Sequence, residues 1–141
     1  MSNLAIPKAL RQQLFQRAHN SCEYCQTPMW LTGIIHEIDH IIPRAKQGAS
    51  TIDNLCLACS SCNGFKQAKT QGFDPDTQQS VALFHPRQQL WAEHFQWSEA
   101  GTHLIGLTPT GRVTIEILQI NNDLMVTART IWVSMGYHPP K

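Results

Sequence analysis

The 141-residue chain contains no run approaching the ~18 consecutive apolar residues that a membrane-spanning helix needs. Its opening, Met1-Ser2-Asn3-Leu4-Ala5-Ile6-Pro7, has neither a basic region nor an apolar stretch of the kind a secretory leader carries. Together these absences predict a soluble, intracellular protein, expected in the cytoplasm. Internal repeats and low-complexity tracts are also missing, so repeat architectures are excluded. The length suits one domain with a real core and falls short of two full domains with a linker. Net charge is only +1, so bulk charge alone implies no polyanionic partner. Five cysteines make an awkward odd set for a disulfide scaffold.

Four of those cysteines fall into two Cys-x2-Cys pairs, Cys22/Cys25 and Cys59/Cys62, a spacing suited to structural zinc in a reducing compartment. The fifth, Cys56, lies in the run Leu55-Cys56-Leu57-Ala58 and reads as a small buried hydrophobe. Between the pairs stand Asp39 and His40. Directly after the second pair come Asn63 and, three residues on, Lys66. Metal-type ligands, a titratable base and a phosphate-seeking cation thus share one compact segment, the composition of a nuclease centre. Charge leans the same way: residues 1–70 carry seven basic side chains against four acidic ones, and residues 71–141 four against six.

Pro7 followed by Leu10, Leu14 and Ala18 at helical spacing predicts an amphipathic helix over 7–19. The β-branched run from Ile34 to Ile42, stopped by Pro43, predicts a strand. A loop from Arg44 to Asp53, a short strand over 55–58 and a helix over 60–70 complete the segment. After Gly72, Phe73-Asp74-Pro75-Asp76 reads as a turn-rich joint. His94–Trp97 and His103–Leu107 flank a glycine-containing turn and predict a hairpin. Thr108-Pro109 opens a helix to about Ile120. Asn122-Asp123 caps another, with Leu124, Ala128, Ile131 or Trp132, and Met135 along one face before Gly136. The expected fold class is therefore α+β, with a nuclease core over 1–72 and a hairpin-plus-helices extension over 73–141 packing on it as one domain. The tail's histidines and tryptophans are expected to pack or lie at the surface.

Cys22-x2-Cys25, Ile38-Asp39-His40-Ile41-Ile42-Pro43, Gly48, Asn54-Leu55 and Cys59-x2-Cys62-Asn63-x2-Lys66 together resemble the HNH endonucleases of the ββα-metal type with added zinc knuckles, over roughly residues 20–70. The region after Gly72 resembles the tails of small bacterial HNH proteins. The resemblance implies zinc on Cys22, Cys25, Cys59 and Cys62, with His40 as general base for the attacking water. It further implies Asp39 and Asn63 as ligands of Mg2+ or Mn2+, and Asn54 as the residue orienting the loop and His40. Lys66, with Arg44 and Lys46 as lesser candidates, is expected on substrate phosphates. The implied activity is hydrolysis of phosphodiester bonds in DNA.

Two departures from the family pattern stand out: Gln47-Gly48 where two glycines are common, and Asn63 where histidine is common, which favours a hard cation. A carboxylate and an amide oxygen suit such a cation, and an imidazole of ordinary pKa near ~6.5 can accept a proton near neutrality. Asp39 and His40 are consecutive, so an ideal strand would point them to opposite faces, and the strand is expected to bend or end there. Glu37 shares parity with Asp39; a solvent-facing carboxylate is an equal reading, and Glu37 and His36 stand outside the expected site. Two rival functions remain open to the sequence. One is a zinc-containing module that binds nucleic acid without cutting it; the other is a partner-docking protein that uses the apolar faces of the tail helices.

Overall fold

The computed structural model describes residues 6–140, so the opening segment read above for a leader, Met1 to Ala5, lies outside the described residues. The chain forms two compact units. One takes in the chain up to Thr70 together with His85–Gln88, and the other takes in Gln71–Phe84 and the chain from Gln89 onward. Helices and three small antiparallel sheets alternate along the chain, an α+β composition. Among the described residues no helix is long and apolar enough to cross a membrane.

In the first unit, α1 (Lys8–Arg17) starts behind Pro7, whose extended backbone and missing N–H suit a helix entrance. Its apolar face delivers Leu14 into a core with Ile6, Ile38 and Leu55, against which Leu10 and Phe15 pack. Arg17 in the last turn donates to the carbonyls of Ile52 at 2.9 Å and Leu55 at 2.7 Å, tying the helix end to the next strand. A single turn, α2 (Met29–Thr32), ends at Gly33 with φ 71°. Strand β1 (Glu37–His40) then pairs antiparallel with β2 (Leu55–Ala58), with Asp39 opposite Cys56 and His40 opposite Leu55. Helix α3 (Ser60–Lys66) follows at once.

The strand is shorter than the β-branched run over 34–42 predicts, for two local reasons. Its partner has only four residues, so Ile34 and Ile35 stay exposed. Beyond His40, the Ile42 amide donates to the Asn54 side chain at 2.9 Å instead of to a neighbouring strand.

The second unit begins with a hairpin where a turn-rich joint is predicted: β3 (Gln71–Asp74) pairs with β4 (Gln79–Ala82). The turn itself is there, over 75–78. The flanking strands are hard to see because their exposure pattern is mostly open and carries no clean apolar alternation. One turn of helix, α4 (Trp91–His94), precedes the hairpin of β5 (Phe95–Trp97) and β6 (Leu104–Gly106). Helix α5 (Pro109–Ile117) is capped by Thr108, whose hydroxyl accepts from the Gly111 amide. It lies on β3, β4 and β6. Gly111 makes that approach possible, since a Cβ there would sit 2.1 Å from the His94 carbonyl oxygen.

Helix α6 (Asp123–Ser134) is capped by Asn122 as predicted. The face expected to be apolar points outward: Leu124 is 84% exposed, and Ile131 and Met135 are exposed with it. Arg129 is the residue α6 buries, donating to the carbonyls of Ile120 and Thr102 with its guanidinium 5.3 Å from the Trp97 ring centre. Trp97 and His138 pack edge to face with ring centres 4.4 Å apart.

Asp74 organises the β3–β4 turn. Its carboxylate accepts from the Thr77 amide and hydroxyl and from Arg112 at 3.0 and 3.2 Å. Bonding to Arg112, with Thr77 adding, holds its pKa down to about 2. A carboxyl depressed in the folded state stabilises fully above its unfolded value near ~4, and that contribution is lost as pH falls through the folded value. Urea unfolding followed from pH 5 to pH 2 should therefore show a stability loss that Asp74→Asn makes visibly shallower. A pH profile identical in the variant would show that Asp74 is not the titrating group.

Candidate active site and metal centre

Two tight turns, 22–25 and 59–62, bring the four cysteine sulfurs within 4.8 Å of one another, and all four residues are buried. Cys25 and Cys59 Sγ lie 3.7 Å apart, close to the ~3.8 Å that a tetrahedron of 2.3 Å Zn–S bonds requires. In each turn a backbone amide donates to the leading sulfur: Cys25 N to Cys22 Sγ and Cys62 N to Cys59 Sγ, both 3.4 Å. Burial pushes the Cys22 thiol up, while hydrogen bonds from Cys22, Cys59 and Cys62 hold Cys25 down. All five cysteines are free thiols. The donor chemistry and spacing fit a structural zinc. Among the described residues this is the only group of three or more Cys, His, Asp or Glu side chains close enough to share an ion.

The second turn is also the start of α3. Cys59 is its N-cap, so Asn63 and Lys66 are fixed in place by the same turn that gathers the sulfurs. α3 lies along β1, against the side chains that strand alternation puts on one face, Glu37 and Asp39.

Asp39 is 5% exposed and Lys66 1%. Lys66 Nζ donates to Asp39 Oδ1 at 3.2 Å and to the carbonyls of His40 at 3.1 Å and Ile41 at 3.2 Å. Tyr24 donates its hydroxyl to Asp39 Oδ2 at 2.7 Å, and Cys56 lies beside them. All three donors of the ammonium are used inside the protein. The phosphate contact expected of Lys66 is therefore corrected: its side chain runs inward because Asp39, buried on β1, needs a counter-charge. Burial still pushes the Asp39 carboxyl above its ordinary value, with Lys66 and Tyr24 opposing.

His40, of opposite parity, turns away from this pair. It is 8% exposed, and its Nε2 lies 2.8 Å from Ser50 Oγ. Nδ1 has no hydrogen-bond partner among the described residues. Burial lowers the imidazole's pKa, Arg44 and Lys66 push it the same way, and Asp39 opposes. Burial thus favours the neutral ring. Asn54 ties down the loop that carries Ser50: it accepts from Ile42 N and donates to the carbonyls of Ile42 at 3.0 Å and Ala49 at 2.8 Å. Arg44 and Lys46, on a single 3-10 turn over Arg44–Lys46, are exposed at the loop's surface.

Asn63 meets Glu37. Its Nδ2 donates to Glu37 Oε1 at 2.7 Å, a partner that sequence parity hinted at and the expected site omitted. Oxygen donors of a kind that suits a hard divalent ion therefore lie on facing elements, Glu37 and Asp39 on β1 and Asn63 on α3. Of these, Asp39 is paired with the Lys66 ammonium.

Residues 22–69 match the family model of the HNH endonucleases. A curated relative is the CRISPR-associated endonuclease Cas9 of Corynebacterium diphtheriae, 42% identical over 57 residues. The match covers 40% of this chain and 5% of that protein, so the chain spans only a small fraction of its relative's length. No solved structure matches. The family match supports a nuclease-type function acting on nucleic acid.

An exposed lysine and a buried counter-ion respond differently to neutralisation. Lys66→Met should lower the unfolding free energy by about 3–5 kcal/mol, the usual cost of stranding one member of a buried pair. Denaturant melts of the zinc-loaded protein measure it. A loss within ~0.5 kcal/mol, normal for surface substitutions, would place the ammonium in solvent.

Proposed function

We propose that this chain is a metal-dependent HNH endonuclease that hydrolyses phosphodiester bonds in DNA. Its working core is β1, β2 and α3 read as a ββα-metal unit, and zinc on Cys22, Cys25, Cys59 and Cys62 staples the ends of that core. The observation that carries the reading is His40: an imidazole with one nitrogen 2.8 Å from Ser50 Oγ and the other without a hydrogen-bond partner among the described residues, in a segment that matches the HNH family. In the tautomer in which Nε2–H donates to Ser50 Oγ, the Nδ1 lone pair is left to take the proton of the attacking water. Asn54 keeps the loop, and with it Ser50, at the right height. Arg44 and Lys46 neutralise flanking phosphates.

Asp39 and Asn63 would hold Mg2+ or Mn2+ through oxygen. A bound divalent ion stabilises the charge that grows on the phosphate and on the departing 3′ oxygen. The products are 5′-phosphate and 3′-hydroxyl ends. A site built on four free thiols belongs in a reducing compartment, which favours the cytoplasm.

A second reading has one specific observation behind it. The Asp39–Lys66 pair already neutralises the carboxylate, as a module that binds nucleic acid without cutting would permit. Plasmid nicking with and without Mg2+ separates the two. His40→Ala should lower nicking about 100- to 10,000-fold, the range of a lost general base, with zinc content and thermal unfolding unchanged; a variant that cuts as well as the parent removes the mechanism. The parent should also carry one zinc per chain by atomic absorption and lose the fold of its first unit under a strong chelator. Chelation that leaves its circular dichroism unaltered would take zinc out of the scaffold.

A further inference from the structure

We infer that Glu37 is a positioning residue for the divalent-ion site: it turns the Asn63 side chain so that Oδ1, and not Nδ2, is offered as a ligand. The inference rests on the proposed endonuclease reading and goes beyond it in naming what aims the Asn63 amide.

An asparagine can ligate a cation only through its carbonyl oxygen, yet its amide can be rotated to present either end. The distinction lies in which end a neighbour engages. Glu37 Oε1 lies 2.7 Å from Asn63 Nδ2. A carboxylate can only accept, so the amide must present its NH2 there. Oδ1 is then left facing away from Glu37, and it accepts no hydrogen bond among the described residues. The backbone of Asn63 is fixed separately: its amide donates to the Cys59 carbonyl at 2.9 Å, and it follows Cys62 in the cysteine turn. The cysteine turn thus sets where Asn63 stands, and Glu37 sets which way its amide faces. Polar groups that orient a metal ligand through its other atom typically change metal affinity 10- to 100-fold.

Glu37 also shares a strand face with Asp39 and is exposed, whereas Asp39 is buried. That exposure makes it a clean target, because its removal empties no core. The structure gives Glu37 this one side-chain partner among the described residues.

The test uses the full zinc-loaded chain and Mn2+, with the free Mn2+ signal in electron paramagnetic resonance as a readout independent of cleavage. Glu37→Ala should weaken Mn2+ binding about 10-fold or more. Zinc content and unfolding should stay as in the parent, and nicking should recover when Mn2+ is raised to saturation. Glu37→Gln keeps an acceptor oxygen for Asn63 Nδ2 and should restore Mn2+ binding to within about 3-fold of the parent, a difference of ~0.7 kcal/mol or less. Unchanged Mn2+ affinity in Glu37→Ala overturns the inference. So does a Glu37→Gln variant as weak as Glu37→Ala, which would make the carboxylate's charge the active feature. A parent chain that neither binds Mn2+ nor cuts overturns the endonuclease reading as well, so the two failures are distinguishable.

Discussion

Four sulfur atoms gather where two turns separated by 33 residues of chain meet, and the first unit's chemistry is arranged around that junction. The apolar core of this unit is modest, with one helix packed on a two-stranded ribbon. A two-stranded ribbon is marginal by itself, so something must fix the register between β2 and the helix that follows. Cys59 does both jobs, as a member of the sulfur cluster and as the N-cap of α3. From that point helix periodicity takes over: Asn63 comes up against Glu37, and Lys66, one turn later, against Asp39 and the carbonyls of His40 and Ile41.

The ion pair beneath β1 then decides how the two consecutive residues Asp39 and His40 are used. Alternation sends Asp39 to the α3 side and His40 to the loop side. Lys66 contacts both consequences at once, through the Asp39 carboxylate and through the His40 carbonyl. The same ammonium lies close enough to His40 to help lower its pKa, while Asp39 opposes. Burial is the leading cause of that lowering.

What could be read from the sequence was what spacing encodes. Cys-x2-Cys pairs, an Asp-His step before proline, and Ser, Thr or Asn ahead of a helix constrain geometry over a few residues, and those elements stand close to their expected places. Tertiary pairing was less legible. Lys66 near the end of a short helix reads as a surface cation, because nothing local distinguishes a lysine that will meet a buried carboxylate. The available signal was indirect: Asp39 in a run of Ile residues had to find a positive partner. The Glu37–Asn63 contact spans 26 positions, and strand parity alone left Glu37 free to face water. The β3–β4 hairpin escaped notice because Gln71-Gly72-Phe73 has weak strand propensity, and its stability comes from Asp74 in the turn and α5 packed on it.

With Lys66 turned inward, the cations that the proposed reading sets against a phosphate backbone near His40 are those on the loop, Arg44 and Lys46. A flexible loop would be a poor place for them, since ordering it on contact costs conformational entropy. This loop is ordered already. Asn54 bonds Ile42, just ahead of the loop, and Ala49 within it, and the chain folds back so tightly at Gly48 that a Cβ there would sit 1.7 Å from the Ile42 carbonyl oxygen. Only glycine fits that approach, and Gln47 beside it takes a left-handed conformation, φ 70°. Ser50, the partner of the His40 imidazole, follows two residues later. The residues that would meet substrate and the residue that fixes the base therefore share one rigid segment, and its rigidity comes from an amide and a glycine that touch neither.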